Sequence, residues 1–269
     1  MPDIWKWGET MLVIGIDAAT WDIIKPNLHR LRTFAELIEE GEHKTITLKQ
    51  KPWSPSVWCS MFCGLPPEKH GHYDYVKDGE VLSREDINVK FIWDLLDERG
   101  ISVKALNIPF VVPPYNFNVE FEPVANGLPI EEHELLEEIE KLTEKSLEIL
   151  QNNKPEVFIV VYTALDRLSH LHWGEPILVD YYEKIDKAIG KLIKFDQELV
   201  IISDHGFCDY DKAPIRTLPK KTPRGEIKGD HHPDAILITK NIGYDINQPE
   251  DVFWMLHKKY LSENSDSSK

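Results

Sequence analysis

The chain has 269 residues, 42% hydrophobic and 29% charged, with a formal net charge of −15. That length supports one large domain, or two small ones, with a core that needs no disulfide staples. The acidic balance argues against a nucleic-acid polymer or an anionic membrane as partner, because the summed field repels phosphate backbones.

Residues 11–16 form an apolar, strand-length run that ends at Asp17. Residues 28–40 place Leu28, Leu31, Phe34, Leu37 and Ile38 at helical spacing, and Gly41 stops the helix. Residues 45–48 read as a short strand and 51–55 as a turn. A helix over 56–63 is expected to open just after Pro55. A helix over 89–98, Gly100 and a strand over 102–106 follow. The proline-rich stretch 109–129 reads as a loop and the best candidate for a small lid. Residues 131–150 form a long amphipathic helix, 156–162 a strand, 181–194 a helix, and 198–202 and 235–239 two more strands.

Helices alternating with short apolar strands predict an α/β fold with a parallel or mixed sheet covered on both faces. With no repeat and no glycine/serine linker, a single domain over 1–269 is expected, frayed at 262–269. No apolar run reaches the length of a membrane span. The first ten residues lack a basic region followed by an apolar core, so no secretory signal is expected. The free-standing odd set Cys59, Cys63 and Cys208 favours a reducing, cytoplasmic compartment.

Ionisable residues fall where strands end. The first strand delivers Asp17; the strand over 156–162 delivers Asp166 and, four residues on, His170. The strand over 198–202 delivers Asp204 and His205, and Gly229-Asp230-His231-His232 precedes the last strand. Parallel neighbours would gather these groups at one sheet edge. Several carboxylates and imidazoles in one cleft call for cations among them. Aspartate and histidine suit zinc first, with manganese or iron as alternatives; so many ligands suit two ions.

Read singly, Asp17 could cap a helix, Asp166 and His170 could be a surface helix pair, and His231 and His232 could be loop histidines. His29, His43, His70 and His72 are not tied to strand ends, although His70 could support the site from behind. Ser54, just before a helix start, is the candidate nucleophile; its bland reading is a helix cap, and Ser56 and Ser60 compete locally. The helix start would also offer backbone N–H groups to an anion.

At this point the sequence resembles the alkaline phosphatase superfamily, and within it the type I phosphodiesterase/nucleotide pyrophosphatase branch. The matching stretches are VIGIDAATWDIIKP from Val13, SPSVWCSMFCGLPPEKHG from Ser54, TALDRLSHLHW from Thr163, ISDHGF from Ile202 and GDHHPDAILI from Gly229, in the family's order. The resemblance implies a three-layer α/β/α sandwich with a mostly parallel sheet. It also implies a two-metal site, with one ion on Asp17, Ser54, Asp204 and His205 and the other on Asp166, His170 and His231. Ser54 takes the nucleophile position, and His231 rather than His232 the Gly-x-His position.

The chain departs from the pattern at Cys63, where the family often has Thr, and at Ala235, where the motif has glycine. Val57 stands where nucleotide pyrophosphatases commonly hold an oxyanion with Asn, and the phosphate-gripping arginine of the alkaline phosphatases has no obvious match. A sulfatase-type Cys/Ser-x-Pro-x-Arg stretch is absent.

The expectation is a metal-dependent phosphoric ester hydrolase, phosphodiesterase or phosphatase, acting on small phosphate esters through a phosphoseryl intermediate. Trp53, Tyr73, Trp173 and Phe207 could stack on a leaving group. A phosphoglycerate mutase-like isomerase and a non-catalytic metal-binding protein are the alternatives; the first would need a second domain for which the chain has little room.

Overall fold

The computed structural model describes residues 10–124, 127–129 and 131–262, with the backbone alone at 196 and 197. The N-terminal stretch 1–9, the tail from 263 onward, and 125 and 126 of the expected lid lie outside the described residues.

The strands are β1 (Thr10–Ile16), β2 (Glu42–Thr47), β3 (Val103–Ile108), β4 (Tyr115–Phe117), β5 (Val157–Tyr162), β6 (Asp196–Ile202), β7 (Gly206–Asp209), β8 (Gly229–His232) and β9 (Asp234–Lys240). The main helices are α1 (Arg32–Glu40), α2 (Ser54–Cys63), α3 (Ile92–Glu98), α4 (His133–Asn152), α5 (Ala164–His172), α6 (Pro176–Leu192) and α7 (Asp251–Tyr260).

The central sheet runs β2-β9-β6-β1-β5-β3-β4. β6, β1, β5 and β3 are parallel, whereas β9 and β4 oppose their neighbours. β1 lies between β5 and β6, so Ile14 pairs with Val160 on one side and Ile201 on the other. Helices cover both faces of these strands. That is why their sequences are continuously apolar rather than alternating.

Successive residues of β1 point to opposite layers. Leu12, Ile14 and Ile16 pack with α1, α4, α5 and α6. Met11 and Val13 pack with α2, α3 and α7. The result is the expected three-layer α/β/α sandwich. Gly15 is required by this packing, because a Cβ there would lie 2.6 Å from the Trp58 ring of α2. Among the described residues no helix is long and apolar enough to cross a membrane.

The differences from expectation are local. The helix expected over 28–40 begins only at Arg32: Lys25–Asn27 forms a 3₁₀ turn, the N–H groups of Arg30 and Leu31 return to Asn27 O, and Leu31 leaves the helical conformation at φ −101° and ψ 72°. α2 opens at Ser54, one residue before its proline, and Trp53 occupies the cap position; Ser54 is therefore not a helix cap. The stretch 109–129 is not wholly loop, since β4 adds an antiparallel edge to β3. α7 was not foreseen. The Asp251 carboxylate at its start accepts from the backbone N–H groups of Asn247 and Gln248 at 2.8 and 3.1 Å.

Candidate functional site

The parallel strands end on one side of the sheet, and the groups that follow them meet there. Asp17 follows β1, and Asp204 and His205 follow β6. β5 feeds α5, which carries Asp166 and His170 one turn apart. The antiparallel β7–β8 ribbon, in which His231 pairs with Phe207, swings His231 into the same cleft. α2 contributes Ser54 from the opposite layer.

His205 Nε2 lies 3.5 Å from Asp17 Oδ1, 3.3 Å from Asp204 Oδ2, 4.0 Å from Asp166 Oδ1 and 3.2 Å from Ser54 Oγ. Asp166 Oδ1 is also 3.1 Å from His231 Nε2 and 3.5 Å from His170 Nε2. All seven residues expected from the sequence are thus brought together. His232, the rejected alternative to His231, is partly exposed and lies beside Asp234 instead.

The backbone fixes the protons of the three rings. His170 Nδ1 donates to Gly229 O at 3.2 Å, His205 Nδ1 to Gly206 O at 2.9 Å and His231 Nδ1 to Pro52 O at 2.8 Å. A carbonyl can only accept, so in each neutral ring the proton sits on Nδ1 and the bare Nε2 faces the cluster. Two such nitrogens, on His170 and His231, lie 3.3 Å apart. The opposed lone pairs repel unless a cation or a proton lies between them.

The carboxylates are equally unfinished. Asp17 Oδ2 accepts from Trp58 Nε1 at 3.3 Å, and Asp204 Oδ1 from the Ala18 N–H at 3.3 Å. Asp17 Oδ1, Asp166 Oδ1 and Asp204 Oδ2 are buried without a hydrogen-bond donor. Burial and the nearby Asp204 and Asp166 charges push Asp17 well above the usual carboxylate range. Burial and Asp166 push Asp204 up to about 7. Burial acts the same way on Asp166, but His170 and His231 outweigh it and hold this carboxyl low. Burial and His231 push His205 well down; burial also opposes a charge on His231, but Asp166 raises it overall. Such mutual adjustment is what a divalent cation would relieve.

The donors group as Asp17, Asp204 and His205, as Asp166, His205 and His231, and as His170, Asp230 and His231. The first group holds the three ionisable residues expected for one ion; the second shares Asp166 and His231 with the set expected for the other but has His205 in place of His170, which groups with Asp230 and His231 instead. Asp230 was not among the expected ligands. Its carboxylate accepts from Thr217 N, Thr217 Oγ1 and His231 N, at 2.9, 2.5 and 2.8 Å, which ties the loop before β8 to the ribbon.

Ser54 Oγ is the hydroxyl at the cluster. Ser56 lines a separate cleft, and Ser60 is bonded to His70 and Gln50 behind α2. His70 therefore supports the helix rather than the candidate site. The start of α2 does not offer the expected donors. Pro55 has no N–H, and the N–H groups of Ser56 and Val57 both return to Trp53 O.

A cleft of about 450 Å³ opens from Ser54, Asp166 and His170, with Trp53, Tyr75 and Leu218 in its wall. Of the aromatics expected near a leaving group, only Trp53 lines this cleft. Tyr73 lines the other one, while Phe207 packs beneath His170 with ring centroids 5.0 Å apart and touches Trp173 in turn. Sequence reading missed Tyr75 and Arg167. Arg167 is buried beside Asp166, ion-paired to Glu138, and its Nη2 has no partner among the described residues. The only signal for it was its place next to Asp166 in the run DRLSH.

Residues 11–252 match the family model of the type I phosphodiesterases/nucleotide pyrophosphatases. The chain belongs to that family. Its members are phosphoester hydrolases, and the grouped carboxylates and imidazoles fit a metal-dependent one. No curated protein sequence matches the chain.

Among solved structures, murine ectonucleotide pyrophosphatase/phosphodiesterase 5 is similar at TM-score 0.64 and 14% identity, over 94% of this chain and 95% of that one. The human counterpart gives 0.62 and 15%, with the same coverage. Phosphonoacetate hydrolase from Sinorhizobium meliloti 1021, solved with phosphonoformate, gives 0.60 and 14% over 82% of this chain. The matched part spans 60% of that hydrolase. At these identities the likeness concerns the fold.

Proposed function

We propose that the chain is a metal-dependent phosphoric ester hydrolase in which Ser54 is the nucleophile. Asp17, Asp204 and His205, with Ser54, would hold one divalent cation; Asp166, His170 and His231 would hold another. One observation carries this reading. Three buried carboxylate oxygens without donors and three bare imidazole nitrogens converge beside one serine hydroxyl. The donor set suits zinc first, with manganese or iron as alternatives. Bound cations would supply Lewis-acid stabilisation of phosphoryl oxygens and ease ionisation of the serine.

Ser54 Oγ bonds to phosphorus as the ester oxygen departs on the opposite side, giving a phosphoseryl ester. Water entering from the vacated side then cleaves the Ser54–phosphorus bond and restores the serine. His170, His205 and His231 keep their bare nitrogens aimed at the site through their Nδ1 bonds to the backbone. The substrate is a small phosphate ester bound in the cleft beside Ser54. AMP in a structure of murine ectonucleotide pyrophosphatase/phosphodiesterase 5 and phosphonoformate in the hydrolase belong to the same broad class of phosphorus oxyanions.

The test is turnover of p-nitrophenyl phosphate and bis-p-nitrophenyl phosphate with added zinc or manganese. Their ratio separates monoesterase from diesterase. Ser54→Ala should lower turnover by about 10³-fold or more while retaining most of the metal. Undiminished turnover in that variant would exclude the phosphoseryl route.

A further inference from the structure

The part of the cleft that leads away from Ser54 is chemically one-sided. Its wall is built from Trp53, Pro55, Val111, Val112, Leu128 and Leu218. Among the described residues no Asn, Gln or Lys side chain lines it, and its carboxylates, Asp17 and Asp166, belong to the candidate metal cluster.

The hydroxyl groups in the wall have already given their protons inward. Tyr75 donates to Pro109 O at 2.9 Å, Thr163 to Glu138 Oε1 at 2.8 Å and Thr217 to Asp230 Oδ1 at 2.5 Å. Among the described residues two side-chain donors of the wall remain free, Trp53 Nε1 and Arg167 Nη2, and both atoms are enclosed within the protein. A nucleobase or sugar placed here would lose water from several polar atoms and recover few hydrogen bonds. An aryl or alkyl group would lose nothing of that kind and would gain contact with the wall.

Resting on the phosphoester reading above, we infer that the organic half of the substrate is apolar, an alkyl or aryl group rather than a nucleoside or sugar. Val111 and Val112 from the excursion after β3, Leu128 near its end and Leu218 from the loop before β8 form the pocket for it. Specificity is thus written mainly in segments outside the central sheet.

The experiment is a binding series that does not depend on turnover. The full-length Ser54→Ala chain, loaded with zinc, is titrated calorimetrically with ethyl-, butyl- and hexylphosphonate and with thymidine 5′-monophosphate. Affinity should rise by about fourfold per buried methylene until the pocket is filled. Thymidine monophosphate should bind no tighter than ethylphosphonate, and Leu218→Asn should flatten the alkyl series. A flat or falling series, thymidine monophosphate as the tightest ligand, or no binding of any phosphonate would overturn the inference. Turnover of nucleotide esters by the intact chain alongside a flat series would leave the hydrolase reading standing and remove only the apolar substrate.

Discussion

Asp166 Oδ1 and His231 Nε2 lie 3.1 Å apart, one group on the helix after β5 and the other on the β7–β8 ribbon. The same oxygen faces His170 and His205, so one carboxylate is shared by three rings. Asp166→Asn would keep the shape and remove that charge. The expected result is loss of one of two bound cations and a fall in turnover of about 100-fold or more. Metal analysis of the purified variant, alongside its circular dichroism, checks this; two retained cations with full turnover would count against the assignment.

Chelation should have a pH-dependent effect on stability. In the cation-free fold Asp204 titrates near 7 and Asp17 is raised as well, mainly through burial. The unfolded carboxyl titrates near 4, so between these values the folded chain binds more protons than the unfolded one. Stability without metal therefore falls as pH rises through the window from about 4 to 7, by an amount on the order of 2–4 kcal/mol for Asp204. Cations bound to the folded state offset that loss by mass action. Thermal unfolding with and without chelator at several pH values should show a metal effect that grows toward neutral pH; an effect that is constant or shrinks would contradict this electrostatic account.

The clustering at the candidate site was largely legible because its ionisable groups follow apolar strands. Asp17, Asp204 and His205 stand at strand ends, and Asp166 and His170 share a helix face, so a parallel sheet alone brings them close. The ribbon that delivers His231 was not legible. Gly229–His232 is polar and has no strand pattern; it is a strand because it pairs with Gly206–Asp209 over the site. β4 was hidden for a similar reason, being three residues long within a proline-rich excursion. The partnership of Glu138 with Arg167 left no periodic trace, since it joins two helices through one buried contact. The free N–H groups expected at the start of α2 failed on a detail below the level of pattern: the backbone there folds back onto Trp53.

Gly229 illustrates a constraint on the candidate metal site that comes from packing. A Cβ at this position would lie 2.6 Å from Phe207 and 2.7 Å from Trp173, and the Gly229 carbonyl holds the His170 ring. Gly229→Ala should push the ribbon from its support and turn His170 away from Asp166. Metal affinity is expected to drop by about 10–100-fold, the usual cost of losing an orienting partner. A competition titration with a zinc indicator measures it, and unchanged affinity would show that the ribbon moves without disturbing His170.

Arg167 and Glu138 form a buried ion pair, and Arg167 Nε also donates to Gly127 O at 2.6 Å beside the cleft. Burial raises the Glu138 carboxyl, although Arg167 and Thr163 oppose the shift. Arg167→Met would leave Glu138 buried without its cation, at a cost of about 3–5 kcal/mol. The double variant Arg167→Met with Glu138→Leu should recover a large part of that loss, because it removes both charges. Denaturant unfolding of the two variants decides the matter. A double variant as unstable as the single one would mean that the contact to Gly127, rather than the ion pair, holds this corner.

His70 gives an acid-side prediction independent of the candidate metal cluster. Its Nδ1 accepts from the His72 N–H at 3.0 Å, so its proton sits on Nε2, which lies 2.9 Å from Ser60 Oγ. Burial, aided by His72, lowers its pKa to about 4. In the unfolded chain it titrates near 6.5, so below that pH the unfolded state takes up a proton that the folded state refuses. His70 therefore contributes a loss of stability as pH falls from about 6.5 to 4, roughly 1–3 kcal/mol after allowing for solvent screening. His70→Gln should be less stable near neutrality yet show a flatter decline into acid. Urea unfolding of both chains, each with chelator, at pH 4.5, 5.5 and 7 isolates the difference. Parallel pH profiles would show that His70 takes up its proton as readily in the folded protein as in the unfolded chain, with its bond to the His72 amide broken in solution.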